Sequence, residues 1–270
     1  MKKLGFIGCG NMGSAMLKGA LAANWCQSHE VVIYDTREER MSELSSELGV
    51  IPADRCESVA EQCEIVVLSV KPQQYEEVIE SIKDHLTEVS IIVPIAPTWA
   101  IKAICRVAAN PDLKVARLMP NMPAQVGCGV SGYVLTKNIS KEERQTVVSF
   151  FKTFGDAHEV SESMMTAVGS VGGCSPGYIY MVIEALMQGA VDLGMSSELA
   201  LQFAAKAVEG TARTILASGT HPAIMRDAVC SPGGTTIAGV ALLEEKGFKG
   251  HLMRAMQASA ERYEESKVDE

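Results

Sequence analysis

The chain has 270 residues, 47% of them hydrophobic and 21% charged, with a formal net charge of −9. That length holds one large domain or two ordinary ones, and the composition is that of a packed globular protein, not a disordered chain. The negative charge disfavours a nucleic-acid or anionic-membrane partner, so any bound phosphate has to be held by local dipoles or a few placed cations.

Leu4 to Gly8 reads as a short apolar strand ended by glycines, followed by a helical pattern to about Ala23. Val31 to Tyr34 is a second strand ending at Asp35. Arg37 to Leu48 is a charged amphipathic helix with Gly49 as its C-cap. Ile65 to Val70 is a continuous apolar run, the mark of a strand buried on both faces. Ile91 to Ile95, Val115 to Met119 and Gly132 to Leu135 are further strands. Strands alternating with helices predict a mostly parallel, doubly wound α/β sheet. Strand signals then fade, and Pro176 to Leu193, Ser197 to Ala217 and Lys249 to Glu265 read as helices, with Ser196 or Ser197 as an N-cap. The expected division is a dinucleotide-binding domain over 1–160 and an all-helical domain over 161–270. The middle helices are rich in Ala, Met and Leu, and are expected to pack on a second copy of the chain or, alternatively, within one chain.

No signal peptide and no run of about 20 apolar residues is visible, which predicts a cytoplasmic protein. The eight cysteines and five histidines are scattered, so neither a disulfide framework nor a metal site is expected.

Four segments carry chemistry. The first is Gly8-x-Gly10-x-x-Gly13, between a strand and a helix, with Asp35 closing the next strand. This is the full context of a dinucleotide turn, whose helix N-terminus offers free N–H groups to a pyrophosphate. Asp35 would accept hydrogen bonds from the ribose hydroxyls of NADH. Arg37 would pair with the 2′-phosphate of NADPH, or is a solvated helix-start charge. The second is Ser69-Val70-Lys71-Pro72, at a strand's carboxyl end where ligands of open sheets bind. The third is Met119-Pro120-Asn121-Met122-Pro123, where Asn121 orients a ligand or closes a turn. The fourth is Ser231-Pro232-Gly233-Gly234-Thr235-Thr236, a helix start with free N–H groups and two hydroxyls, sized for a small carboxylate or else an ordinary capped loop. No nucleophile–base pair accompanies these segments, which suits hydride transfer to an already polarised C=N bond.

Taken in order, Gly-Phe-Ile-Gly-Cys-Gly-Asn-Met (5–12), Ser-Val-Lys-Pro (69–72), Met-Pro-Asn-x-Pro-Ala (119–124), Ser-Pro-x-Tyr (175–178), His-Pro-Ala (221–223) and Ser-Pro-Gly-Gly-Thr-Thr-Ile (231–237) resemble the pyrroline-5-carboxylate reductase family along the whole chain. The resemblance implies a Rossmann domain followed by a helical dimerisation domain. It implies reduction of 1-pyrroline-5-carboxylate to L-proline, the last step of proline biosynthesis, by NADPH or NADH. It places the substrate carboxylate on Ser231, Gly234, Thr235 and Thr236, with the Thr236 hydroxyl on the imine nitrogen and Glu162 nearby. It places the cofactor against Ile7, Gly8, Cys9, Gly10, Asn11, Met12, Asp35, Arg37, Ser69, Val70, Lys71, Pro72, Ile95 and Ala96. The proton for nitrogen comes through a Thr236-bound water or with an already protonated iminium.

The chain departs from the family pattern at Pro97-Thr98, Met122, Gln125, Gly172-Gly173-Cys174 and Arg55. These differences leave room for a related cyclic imine such as piperideine carboxylate. Two other readings compete. A β-hydroxyacid dehydrogenase would carry a catalytic lysine on a helix beyond a glycine-rich segment, and Lys206 does not match that pattern. A non-catalytic dinucleotide sensor or scaffold would not need the intact Ser231–Thr236 segment.

Overall fold

The computed structural model describes residues 2–268. It opens with the alternation expected from the sequence: β1 (Lys2–Ile7), α1 (Asn11–Ala22), β2 (Val31–Tyr34), α2 (Glu38–Leu48), β3 (Ile51–Pro52), α3 (Cys56–Gln62), β4 (Cys63–Leu68), α4 (Tyr75–Ile82) and β5 (Ile91–Pro94). These five strands form one parallel sheet in the order β3-β2-β1-β4-β5. The order reverses between β1 and β4, and that switch point opens a crevice beyond the strand ends.

Alternation along each strand sorts its side chains onto two cores. Ile65 and Val67 of β4 pack with Leu4, Phe6 and Phe150 on one face. Val66 and Leu68 pack with Ile7, Tyr75 and Ile79 on the other. A strand buried on both faces has no polar side to alternate, which is why 65–68 reads as an unbroken apolar run.

Next come α5 (Ile101–Val107), β6 (Ala116–Met119), β7 (Gly129–Leu135), α6 (Lys141–Phe151) and β8 (Gly155–Glu159). A bridge between Ile92 and Val115 joins β6 to the edge at β5. Here the sheet is mixed, since β6 and β7 are antiparallel and β7 and β8 parallel. The short β3 and the polar β8, Gly-Asp-Ala-His-Glu, are strands that the apolar pattern does not announce.

The helices beyond are α7 (Met165–Val168), α8 (Ser175–Asp192), α9 (Ser197–Ser218), α10 (Pro222–Ala228), α11 (Thr235–Glu245) and α12 (Phe248–Glu265), with Gly169–Cys174 in a π-helical turn. Ser196 caps α9 by accepting the Leu199 N–H. The chain divides into two compact units, 1–173 with 259–270, and 174–258. The expected boundary at 160/161 marks the change from strands to helices. The compact boundary lies later because Met165 and the end of α12, at Tyr263, are buried with Met119. Within the helical unit only Ala200 and Ala204 are buried, while Phe203 and Leu216 are 62% and 82% exposed. Among the described residues, no helix is long and apolar enough to cross a membrane.

Candidate active site

The switch point carries a cleft of about 620 Å³. Its lining brings together Ile7, Gly8, Gly10, Asp35, Arg37, Ser69, Val70 and Lys71, all singled out in the sequence. Tyr34, Thr36, Gln74 and Val78 also line it and were not singled out. Thr36 lies between two expected residues, and Gln74 and Val78 are four apart at the start of α4, so a helical spacing after Lys71 was the available signal. Cys9, Asn11, Met12, Pro72, Ile95 and Ala96 do not line this cleft. Cys9 is buried, and Met12 packs against the core.

The three motif glycines do three different jobs. Gly8 has φ +92°, and a Cβ there would meet the Ser69 carbonyl oxygen at 2.5 Å. A Cβ on Gly13 would lie 2.7 Å from the Gly8 oxygen and 2.8 Å from Ser69 Oγ. Gly10, by contrast, has nothing within 4 Å of where a Cβ would be. It faces the cleft and is the N-cap of α1, with no side-chain cap and no acidic residue in the first turn. That open cradle at an uncapped helix N-terminus fits a pyrophosphate.

Asp35, 8% exposed, is already engaged. Its carboxylate accepts the Cys9 N–H at 2.7 Å, the Arg37 N–H at 3.0 Å and Arg37 Nε at 3.2 Å. Burial pushes this carboxyl up, but the donors outweigh it and hold it below its ordinary value. The other side of the turn is gripped by Arg40, which donates to the Cys9 carbonyl at 3.1 Å and to Ser14 Oγ at 2.8 Å. Ser14 Oγ itself donates to the same carbonyl. The Cys9 peptide is thus clamped at both ends, and Arg40, which the sequence did not single out, supports the turn without lining the cleft. Burial, aided by the Asp35 charge, pushes the Cys9 thiol up to about 12.

Arg37 lies along the cleft with a largely exposed guanidinium. Lys71 lines the same cleft with no acidic partner among the described residues. Two cations and a helix N-terminus suit a polyanion despite the net charge of the chain.

Asn121 is a staple within the sheet unit. Its Oδ1 accepts the Val130 N–H and its Nδ2 donates to the Gly172 carbonyl, each at 3.0 Å. Both groups of the amide are therefore engaged by backbone. The carboxylate of Glu162 pairs with Arg117 and accepts the Ile101 N–H at 3.3 Å. Ile95 and Ala96 donate their N–H groups to the Tyr75 hydroxyl.

In the helical unit, Gly234 is the N-cap of α11, and its N–H bonds the Ser231 carbonyl at 3.0 Å. Gly234 carries no side-chain cap, and Ser231, Thr235 and Thr236 are exposed. The loop is an uncapped helix start with exposed hydroxyls, the arrangement of an anion nest.

A parallel sheet with a glycine turn, an uncapped helix and an acidic residue just after β2 defines a dinucleotide-binding fold. Residues 3–97 match a family model described as NADP oxidoreductase, coenzyme F420-dependent. Residues 162–266 match the model for pyrroline-5-carboxylate reductase dimerisation. The chain is 38% identical over 263 residues to the pyrroline-5-carboxylate reductase of Escherichia coli strain K12, covering 97% of each. It is 34% identical over 264 residues to that of Methanosarcina acetivorans, covering 98% of this chain and 97% of the other. The crystal structure of the Plasmodium falciparum pyrroline carboxylate reductase with NADP bound superposes with a TM-score of 0.89 at 29% identity, covering 98% and 97% of the two chains. The chain belongs to the pyrroline-5-carboxylate reductase family.

Proposed function

We propose that this chain reduces 1-pyrroline-5-carboxylate to L-proline as a cytoplasmic homodimer, taking its hydride from NADPH and also accepting NADH. The relatives named above are called reductases of this substrate, and the matched segments run through both units. The observation that carries the reading is the pairing, in one chain, of an open dinucleotide cradle at Gly10 with a second uncapped helix start at Gly234.

When bound, the reduced nicotinamide supplies a hydride to the imine carbon, while the ring nitrogen takes or already carries a proton. The chain's own residues bind and orient. The first-turn N–H groups of Thr235 and Thr236, which follow the N-cap Gly234, hold the substrate carboxylate with the help of the Ser231 hydroxyl, and the Thr236 hydroxyl hydrogen-bonds the ring nitrogen. In the cleft, the first turn of α1 holds the pyrophosphate. Admission of NADPH rests on the commitment of Asp35: a carboxylate bonded to three donors, one of them a guanidinium, repels a 2′-phosphate less than a free one. Arg37 remains exposed enough to meet that phosphate.

The exposed apolar side chains of the helical unit support the homodimer, since patches of this kind are rarely left open to water. Sedimentation should give a dimer or larger species at micromolar concentration, and a monomer would refute this part. For the reaction, loss of nicotinamide absorbance is followed with pyrroline-5-carboxylate and, separately, piperideine carboxylate, using NADPH and NADH in parallel. Turnover of the five-membered ring is expected to dominate. No turnover with either cofactor would overturn the proposal.

A further inference from the structure

Beyond the carboxyl end of β5 the chain runs through Ile95-Ala96-Pro97-Thr98-Trp99, beside the end of β4 that feeds the cleft. This loop is held from two sides by side chains that are remote in sequence. On one side, the wholly buried Tyr75 places its phenol oxygen under the loop, accepting the Ile95 and Ala96 N–H groups at 2.9 Å each. The same hydroxyl donates to the carbonyl of Leu68, the last residue of β4, at 2.5 Å. One oxygen therefore joins the ends of two adjacent strands. Burial pushes this phenol up despite the opposing N–H bonds, so it stays a donor across the working pH range. Trp99 stacks on Tyr75 at 5.5 Å, and its Nε1 donates to the Pro72 carbonyl at 2.9 Å. Through that bond the loop is tied to the Ser69–Pro72 turn, whose Ser69, Val70 and Lys71 line the cleft.

On the other side, the Pro97 carbonyl accepts from Arg117 Nη2 at 2.6 Å and from the Tyr263 hydroxyl. Arg117 also donates to Tyr263 at 2.7 Å and pairs with Glu162. Nearby, the Val268 N–H donates to the Thr98 carbonyl at 3.0 Å. Arg117 is 2% exposed. Its partner Glu162 is part-exposed, and burying a guanidinium against such a partner commonly stabilises a fold less than an apolar side chain of the same volume would. A guanidinium at this position is therefore better explained by the geometry it imposes than by the stability it adds.

We propose that Tyr75 and the Arg117–Tyr263 pair are positioning residues that set the Ile95–Trp99 loop and, through the Trp99–Pro72 bond, the Ser69–Pro72 turn that lines the cleft, so that the bound dinucleotide is held for hydride transfer. The inference rests on the reductase reading above. Neither side chain touches the reacting atoms; both act through the loop backbone. The side-chain hydrogen bonds of Tyr75, Arg117 and Tyr263 go to the loop, to Leu68, to Glu162 and to one another, and not to Asp35 or Arg37, where the adenosine end would lie.

Two conservative variants test this. Tyr75→Phe removes one oxygen, which leaves the Ala96 N–H without its acceptor and the Ile95 N–H and Leu68 carbonyl with only their own 3.4 Å bond to each other. Tyr263→Phe removes one of the two donors to Pro97 and leaves the other. With pyrroline-5-carboxylate and NADPH, Tyr75→Phe should lower kcat roughly ten- to a hundredfold, the scale of an ångström-sized misplacement of reacting groups. Tyr263→Phe should lower it less. The Kd for NADPH should change by less than about threefold, since the adenosine half supplies most of the binding. The deuterium isotope effect on kcat with 4-deuterated NADPH should rise in both variants, because slack at the donor makes the chemical step limiting. Arg117→Lys should recover part of the activity lost in Arg117→Met. A lower Tm with unchanged kcat and isotope effect would overturn the proposal and leave these residues as fold supports.

Should the wild type turn over no substrate, the reductase reading fails separately, and Trp99 then reports on the loop. In a Trp25→Phe background its emission should respond to NADPH, and Tyr75→Phe should abolish the response. An unaltered response would overturn the proposal.

Discussion

Substituting alanine at each of the three motif glycines should give three distinct outcomes, because their surroundings differ. Gly10→Ala places a methyl where no atom lies within 4 Å, on an extended backbone of φ −67° and ψ −168° that any residue adopts. Alanine is a poorer N-cap than glycine by about 0.5–1 kcal/mol. It also lowers the entropy of the unfolded chain, which returns about 0.4–1 kcal/mol. The two effects nearly cancel, so Tm should stay within a few degrees of wild type. The dinucleotide, however, meets that methyl directly. Pushing a pyrophosphate away from the helix N-terminus removes one or two hydrogen bonds to a charged group, each about 1.5–3 kcal/mol. A loss of about 3 kcal/mol is roughly a hundredfold in Kd. Gly8→Ala combines a left-handed φ, costing about 1–2 kcal/mol, with overlap on the Ser69 carbonyl, costing about 1–3 kcal/mol more. It should therefore unfold at markedly lower temperature. Gly13→Ala meets backbone and a short side chain and should fall between the two. Thermal unfolding and calorimetric titration with NADPH separate folding from binding. Wild-type affinity in Gly10→Ala would refute the placement of the pyrophosphate at this turn.

Other predictions rest on the remaining site groups. Thr236→Ala should lower kcat/KM ten- to a hundredfold, the roughly 1.5–3 kcal/mol of a hydrogen bond to a charged group, with Tm unchanged since the side chain is exposed; unchanged kinetics would remove Thr236 from the reaction. Asp35→Asn removes a buried charged acceptor and should cost about 1.5–3 kcal/mol of stability at neutral pH. Because the folded-state pKa of Asp35 is depressed, its contribution is complete above the unfolded value of about 3.9 and fades as pH falls through the lower folded value. Tm measured against pH should thus converge for the two proteins in acid, and a constant gap would refute the carboxylate's role as anchor. Cys9, with its thiol raised to about 12, should resist a thiol reagent at pH near 8 while exposed Cys128 reacts, as read by mass spectrometry of labelled peptides.

What the sequence alone determined is local in character. The glycine turn, Asp35, the apolar run of β4 and the Ser231–Thr236 loop each declare themselves within a few residues, because turn geometry, strand burial and helix starts are set by neighbours along the chain. The polar β8 and the two-residue β3 escaped because neither has an apolar period to detect. Tertiary structure decided how the marked residues are used. Asp35 reads in sequence as a ribose acceptor, and the fold turns its carboxylate onto the Cys9 N–H, 26 residues away. Asn121 could face a ligand, and the fold spends its amide on Val130 and Gly172. Arg117 sits inside an apolar strand with no local partner, and its role appears only when Tyr263, 146 residues later, comes within 2.7 Å. A lone charge in a strand, or a tyrosine at a helix start, carries no periodic signal. Only the packing of distant elements tells which backbone groups it must satisfy.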